Sequence, residues 1–212
     1  MQTKRQNNRL IARFFIKMIN YFQKFNEIIK KEKEEGKKKK LLLHACCAPC
    51  STTAIERLSD VFSLTVLFYN PNITDEKEYD YRLKEISSFL EKVYPEIPLF
   101  EGEFETDKFY QISKHLEGEP ERGKRCYNCY KLRLEKTANL ADKKFDYFAT
   151  TLTLSPHKNS DWLNEIGESL KTSAIYLPTD FKKQDGYKRS IELSNKYGLY
   201  RQNYCGCEFS KR

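Results

Sequence analysis

From residue 41 onward, short apolar runs alternate with segments whose apolar positions recur every three or four residues. A short apolar run is typical of a buried strand, and the longer spacing is typical of an amphipathic helix. The runs predict strands at 41–45, 63–69, 97–101, 145–150 and 174–177. The helical spacing predicts helices at 51–59, 75–93, 107–115, 129–141, 160–170 and 187–197. This alternation predicts an α/β fold with an open, mostly parallel sheet and helices on both faces, in which ligands bind at the carboxyl ends of the strands.

The first 40 residues differ from the rest in pattern and charge. Apolar residues at helical spacing predict a helix with one apolar face, made of Leu10, Phe14, Met18, Phe22, Phe25 and Ile29. We therefore interpret residues 1–40 as a basic amphipathic helix with a charged linker, and residues 41–212 as the α/β domain. Three roles fit such a helix. It packs its apolar face on that domain, its polar face and lysines also follow an RNA backbone, or it binds a membrane surface.

Net charge alone says little about the partner of this protein. The chain has 212 residues and a formal net charge of +8. Residues 1–40 contain 13 lysines and arginines against 4 glutamates, whereas residues 41–212 contain 25 basic and 26 acidic residues. The excess charge therefore belongs to the N-terminal segment, and the α/β domain is nearly neutral.

Nothing in the sequence indicates export or a membrane span. No run approaches the roughly 18 consecutive apolar residues that a spanning helix needs. Arg13 and Lys17 interrupt the N-terminal apolar stretch, and no small-residue cleavage site follows it. We therefore expect a cytoplasmic protein.

All 7 cysteines fall into three short clusters, which are Cys46, Cys47 and Cys50, then Cys126 and Cys129, then Cys205 and Cys207. An odd number without an export signal disfavours a disulfide framework. The first cluster follows the first predicted strand directly, at the sheet edge where α/β proteins bind ligands. Pro49 supports a turn there, and Ser51 is a candidate cap for the following helix. The clusters predict metal binding, with a redox dithiol or simple packing as alternatives.

The number of thiols bears on the kind of metal. A structural zinc site closes with four ligands, so two Cys-x-x-Cys pairs would satisfy it and leave three cysteines unused. A 4Fe–4S cluster also needs about four thiolates, and the remaining three could hold a second metal or form a redox pair. The spacing favours iron–sulfur over zinc and leaves the ligand assignment open.

Five motifs together resemble the QueH family of epoxyqueuosine reductases. They are LLLHACCAPCS (41–51), FYNPNI (68–73) with EYDYR (78–82), RCYNCYKLRLEKTA (125–138), TTLTLSPHKN (150–159) and RQNYCGCEFS (201–210). The resemblance runs in order from about residue 20 to the C-terminus. It implies an α/β fold related to the adenine-nucleotide hydrolase-like group and a cobalamin-independent reduction of the epoxide of epoxyqueuosine in tRNA. A cysteine motif stands where nucleotide-dependent relatives carry a Gly-rich phosphate loop, so ATP chemistry is not expected.

The resemblance also implies a 4Fe–4S cluster and an adjacent cysteine-bound metal, for which we expect iron. We expect Cys126 and Cys129 to bind the cluster, together with Cys46 or Cys47 and one C-terminal thiol. The remaining thiols would hold the second metal. Family members do not all keep a cysteine at the position of Cys50, so it is a ligand of either centre or a replaceable group.

Reduction of an epoxide needs a proton donor, and we expect electrons from an external donor. The candidate catalytic acids are His157, Tyr127, Tyr204 and His44. For base stacking the candidates are Tyr69, Tyr127, Tyr130 and Tyr204, and for phosphate contact they are Arg122, Lys124, Arg125, Lys158 and Arg201. The asparagines of the turn 69–72 could contact the base edge or only favour the turn.

The expected partner is tRNA carrying epoxyqueuosine in the anticodon loop, with no role for DNA or a membrane. Two other functions compete with the reductase. One is a non-catalytic RNA-binding protein with a structural zinc site, and the other is a nucleotide-dependent tRNA thiolase of the same fold group.

Overall fold

The computed structural model describes residues 20–211, and its strands form one sheet. The strands are β1 (Lys39–Ala45), β2 (Phe62–Phe68), β3 (Leu99–Glu101), β4 (Tyr147–Thr150) and β5 (Ile175–Tyr176). Their order across the sheet is β3-β2-β1-β4-β5, and every neighbouring pair is parallel. The α-helices are α1 (Tyr21–Glu35), α2 (Ala48–Leu58), α3 (Glu76–Val93), α4 (Thr106–Ser113), α5 (Lys124–Ala141), α6 (Ser160–Ser169) and α7 (Gly186–Tyr197). The predicted α/β fold with a parallel sheet is confirmed.

The sheet has an apolar core on each face because successive residues of a strand point to opposite sides. Leu41 and Leu43 of β1 belong to one core, which also contains residues of α1, α2 and α3. Leu42 belongs to the other core, which contains residues of α5 and α6. Helices therefore cover both faces, and the central strand is buried between them.

Helix α1 packs on the first of these cores. Asn20 caps its N-terminus, and Gly36 ends it in a left-handed conformation. Phe25 is buried and meets Phe181 edge to face, with ring centroids 5.7 Å apart. Phe22 and Ile29 pack against the same core. The packing role is thus confirmed for the described part of the segment, whereas Leu10, Phe14 and Met18 lie outside the described residues.

A buried carboxylate ties α1 to the sheet. Glu32 accepts a hydrogen bond from the Tyr147 hydroxyl at 2.8 Å and lies 2.9 Å from the Lys39 ammonium.

Within residues 20–211, no helix combines the length and the apolar character that a bilayer span requires.

The carboxyl ends of β1, β2 and β4 lie side by side at one edge of the sheet. After β1 comes Cys46, after β2 comes Tyr69, and after β4 a 3-10 helix spans Thr151–Leu154. Helix α2 begins at Ala48, three residues earlier than predicted, because Pro49 is well tolerated in a first helical turn. Cys47 therefore occupies the N-cap position, and the prediction that Ser51 caps the helix was wrong. The Ser51 hydroxyl instead donates to the Cys47 carbonyl at 2.8 Å.

Candidate metal centre and active site

Three thiols meet between β1 and α2. The Sγ atoms of Cys46, Cys47 and Cys50 all lie within 4.8 Å of one another. Strand β1 ends at Ala45, the chain bends at Cys46, and the extended Cys47 then leads into the helix at Ala48. This bend lets the adjacent Cys46 and Cys47 approach to 3.8 Å between Sγ atoms instead of pointing to opposite faces. These three cysteines could hold a metal ion.

The other four thiols come from α5 and the C-terminal segment. Cys129 and Cys207 are buried against Phe109, and Cys205 packs beside them. Cys126 packs instead on the core that contains Cys46 and Cys47. The two thiols of α5 therefore pack with different groups, Cys126 with the first motif and Cys129 with the C-terminal pair.

Gly206 allows the C-terminal pair to form. Its φ of +93° is a conformation that L-residues with side chains rarely adopt. A Cβ at this position would lie 2.6 Å from Ile73 Cγ1. Glycine is therefore required both by the backbone and by the close approach of the segment to Ile73.

Polar side chains hold the C-terminal segment over the sheet edge. The Asn72 amide donates to the Cys205 carbonyl at 3.0 Å. The buried Arg82 donates to the Tyr204 carbonyl at 3.5 Å, and its guanidinium lies 5.3 Å from the centre of the Tyr204 ring. The sequence motif around Asn72 thus anchors the motif that carries the last two cysteines.

A cavity of about 330 Å³ opens at this edge. Its lining combines three thiols, four cations and two of the candidate acids, namely Cys46, Cys50, Cys205, Arg82, Arg133, Lys158, Arg201, His157 and Tyr204. Both cysteine groups therefore contribute to one cavity, at the place where α/β proteins bind ligands.

Positive charge surrounds the thiols. Arg82, Arg133 and Lys158 are all buried. Burial disfavours the charged form of Lys158, but the negative charge of the Cys205 thiolate and of other neighbouring groups raises its pKa above the usual value for lysine. These three cations offset the negative charge that thiolates or an anionic cluster would bring into the site.

Two cavity-lining thiols are predisposed to ionise. Hydrogen bonds from Cys47 and Cys50 lower the pKa of Cys46 well below its usual value, although burial acts in the opposite direction. A hydrogen bond from Cys207 lowers the pKa of Cys205 in the same way, with a further contribution from Lys158. Because a thiolate is the form that binds a metal, both side chains suit metal ligation.

The four candidate acids occupy different surroundings. His157 and Tyr204 line the cavity, whereas His44 and Tyr127 are not among the described residues that do so. His44 is fully buried, with Nε2 2.9 Å from the Tyr69 carbonyl and Nδ1 2.9 Å from the Thr150 hydroxyl. Because a carbonyl only accepts, Nε2 carries the proton. Burial lowers the pKa of His44 to about 4, so this ring is neutral at neutral pH.

The stacking role expected for Tyr69 and Tyr130 was wrong. Both side chains are almost completely buried, so neither offers a ring face to a base. The Tyr69 hydroxyl donates to Glu105 at 2.9 Å. Both tyrosines pack in the apolar core that lies under the cysteines, which is the commoner role of an aromatic residue.

The structure favours the structural alternative for the asparagines of the turn and contradicts phosphate contact by Arg125. Asn70 and Asn72 are buried, and their amides bind the carbonyls of Ala45 and Cys205, so they hold the backbone of the site together. Arg125 is also buried, and its guanidinium donates to backbone carbonyls of the loop before α5. Of the remaining candidates for phosphate contact, Lys158 and Arg201 line the cavity, and Arg122 and Lys124 lie on the surface.

The sequence pattern did not identify Arg82 and Arg133 as site residues. Arg82 is the one charged residue among the buried positions of α3, beside Ile86, and Arg133 shares the buried side of α5 with Arg125. An arginine within an apolar stripe was the available signal, because a charge is rarely buried without a partner.

The fold and the site define a Rossmann-like α/β protein with a cysteine-lined, cation-rich cavity. The family model for epoxyqueuosine reductase QueH matches residues 41–212. Similar proteins of that name occur in Staphylococcus epidermidis, with 40% identity over 96% of this chain and 89% of that protein, and in Streptococcus pyogenes, with 39% identity over 92% and 79%. The protein of that name from Thermotoga maritima is 35% identical over 79% of this chain and 88% of its own length. The chain belongs to the epoxyqueuosine reductase QueH family, and it is an oxidoreductase.

Proposed function

We propose that this protein reduces the epoxide of epoxyqueuosine in tRNA to the cyclopentene of queuosine, using a 4Fe–4S cluster and an adjacent cysteine-bound iron. The observation that carries the proposal is the single cavity to which two separate cysteine groups contribute, in a chain of this family. A cavity of about 330 Å³ falls in the range of small-ligand sites and suits one splayed-out nucleobase.

The seven thiols divide by their relation to the cavity. Cys46, Cys50 and Cys205 line it, and we assign these three as the residues that would hold the iron, which would supply a Lewis acid at the cavity. The other four thiols are absent from the cavity lining among the described residues, and we assign them to the cluster: Cys47, Cys126, Cys129 and Cys207. This division gives the cluster the two thiols of α5 and one from each flanking motif.

The donor set fits both groups. Four thiolates suffice for a 4Fe–4S cluster, and iron accepts thiolate ligands readily. The buried cations Arg82, Arg133 and Lys158 compensate the charge of the loaded site. When bound, the two groups supply electrons one at a time and a Lewis acid for the epoxide oxygen.

The remaining work falls to side chains of the cavity. Loss of the epoxide oxygen as water consumes two electrons from an external reductant and two protons. His157 and Tyr204 line the cavity, and we assign the proton transfer to the imidazole of His157 or the hydroxyl of Tyr204. Lys158 and Arg201 add positive charge to the same walls and suit the phosphates that flank the base.

Metal analysis of single-cysteine variants tests this assignment. Anaerobically purified protein should contain iron and sulfide, and Cys126→Ala should lose the visible absorbance of the cluster. Cys50→Ala should keep the sulfide and that absorbance but lose about one iron per chain and the turnover of epoxyqueuosine tRNA. Stoichiometric zinc with neither iron nor sulfide would contradict the reductase and favour an RNA-binding protein with a structural zinc.

A further inference from the structure

An aromatic pair on the surface joins α5 to α6, and neither side chain lines the cavity among the described residues. The rings of Tyr127 and Trp162 meet edge to face, with centroids 5.4 Å apart and an interplanar angle of 84°. Tyr127 is 36% exposed, and Trp162 is half-buried. We name these two side chains the aromatic platform.

The aromatic platform is connected directly to the metal centre and to the cavity rim. Tyr127 follows Cys126 in α5, and Trp162 packs on the same core as that cysteine. Trp162 also follows closely on Lys158, which lines the cavity. The Asn159 side chain accepts hydrogen bonds from the backbone N–H groups of residues 161 and 162, which fixes the start of α6 relative to the rim.

Charges divide around the aromatic platform. On α5, Lys124 and Lys131 lie three residues before and four residues after Tyr127, so all three share one helix face. Both lysines are exposed, and the only ion pair recorded for the Lys131 side chain in the described part of the chain is a loose 3.6 Å contact to Glu135. On α6, the exposed neighbours of Trp162 are the acids Asp161 and Glu165. A polyanion is therefore favoured along α5 and disfavoured along α6.

This combination suits single-stranded nucleic acid. A partly exposed aromatic ring flanked by cations is the usual surface on which an unpaired base stacks while its phosphates contact lysine. An apolar protein partner would need a contiguous apolar patch, and charged residues border the platform on both helices.

We propose that the aromatic platform stacks an unpaired nucleotide next to the modified base in the anticodon loop, with Lys124 and Lys131 contacting the adjoining phosphates. This inference rests on the proposed function, because it takes the tRNA loop as the ligand. It adds a second base-binding position outside the cavity, and with it a preference for the neighbouring loop sequence.

The chain offers a direct reporter, since Trp162 is its only tryptophan. Metal-loaded protein is titrated with an anticodon stem–loop RNA carrying epoxyqueuosine, and tryptophan emission and RNA anisotropy are followed together. Stacking should quench the emission in a saturable way. Replacement of the nucleotides beside the modified base by abasic residues should abolish the quenching and weaken binding about 5- to 150-fold, as expected for one lost base–aromatic stack.

Variants separate stacking from charge. Tyr127→Ala should weaken binding of the intact loop but leave binding of the abasic loop unchanged, whereas Tyr127→Phe should behave like the parent protein. Lys131→Gln should reduce the slope of log affinity against log salt by about one. The matched control is Phe100→Ala, which removes a 50% exposed ring from the edge strand β3 and should change nothing.

The outcomes distinguish this inference from the proposed function. Equal quenching by the intact and abasic loops, or unchanged affinity in Tyr127→Ala, would overturn the platform even while the epoxide is still reduced. Binding and quenching as described, without any reduction of the epoxide, would leave the platform supported and the reductase assignment refuted.

Discussion

Arg125 stands directly before Cys126 and fixes the loop that leads into α5. Its Nη1 lies 2.8, 2.9 and 2.8 Å from the carbonyls of Leu116, Glu117 and Glu119. The guanidinium also lies 4.9 Å from the centre of the Phe209 ring. Arg125→Met keeps the apolar stem and removes all of these contacts, so it tests whether the arginine is structural or binds RNA.

The expected loss of stability follows from the number of hydrogens that Arg125 Nη1 can donate. Nη1 carries two hydrogens, so its three contacts amount to two full hydrogen bonds, each contributing about 1.5 kcal/mol at the low end for a charged donor. The cation–π contact adds about 0.5 kcal/mol. Release of the buried Nε, which has no hydrogen-bond partner among residues 20–211, offsets part of this. We expect a net loss of about 2–3 kcal/mol in the free energy of unfolding.

Urea unfolding of the metal-free protein measures this loss. The midpoint of Arg125→Met should fall by about 1 M urea, given a slope of about 2 kcal/mol per molar for a chain of this size. The exposed neighbour Lys124 provides the control, and Lys124→Met should stay within about 0.5 kcal/mol of the parent. An unchanged midpoint in Arg125→Met, combined with a lower salt dependence of tRNA binding, would refute the structural role and restore the phosphate contact.

Two further substitutions test the packing around the site. Gly206→Ala should lower the amount of iron that the protein binds on reconstitution, which is measured colorimetrically. The added Cβ would collide with Ile73, and the positive φ disfavours any side chain. Full iron content would show that the segment tolerates the change. Glu32→Ala removes the buried carboxylate that binds Lys39 and the Tyr147 hydroxyl. The loss of these hydrogen bonds to a charged group should lower the free energy of unfolding by about 2 kcal/mol and expose the segment after α1 to limited proteolysis. A digestion rate equal to that of the parent would contradict the docking of α1 through this carboxylate.

The alternation of apolar runs and helical spacing predicted the strands and helices of the sheet domain, because burial on both faces leaves a strong signal in β1, β2 and β4. Helix boundaries were less predictable. Helix α2 starts at Ala48 and α5 at Lys124, since Pro49 and the cysteines give little indication of where a first turn begins. Strands β3 and β5 are shorter than predicted because an edge strand pairs with only one neighbour.

Site residues that are neighbours in the sequence were predictable. Site residues that only the fold brings together were not. The first cysteine motif identified three thiols that could hold a metal ion. His157 and Tyr204 line the cavity, and their role as acids stays a prediction. The cations Arg82 and Arg133 come from α3 and α5, and only tertiary packing brings them beside the thiols. Stacking at Tyr69 failed as a prediction because proximity to a motif in sequence does not determine exposure.

The central claim concerns the reduction of one modified base. Reconstituted protein is incubated anaerobically with a chemical reductant and tRNA that carries epoxyqueuosine, and the digested nucleosides are weighed by mass spectrometry. The account predicts that the modified nucleoside loses the mass of one oxygen atom, with a rate that depends on the cavity-lining thiols. An unchanged nucleoside mass, with an intact cluster confirmed by its spectrum and bound tRNA confirmed by anisotropy, would contradict it.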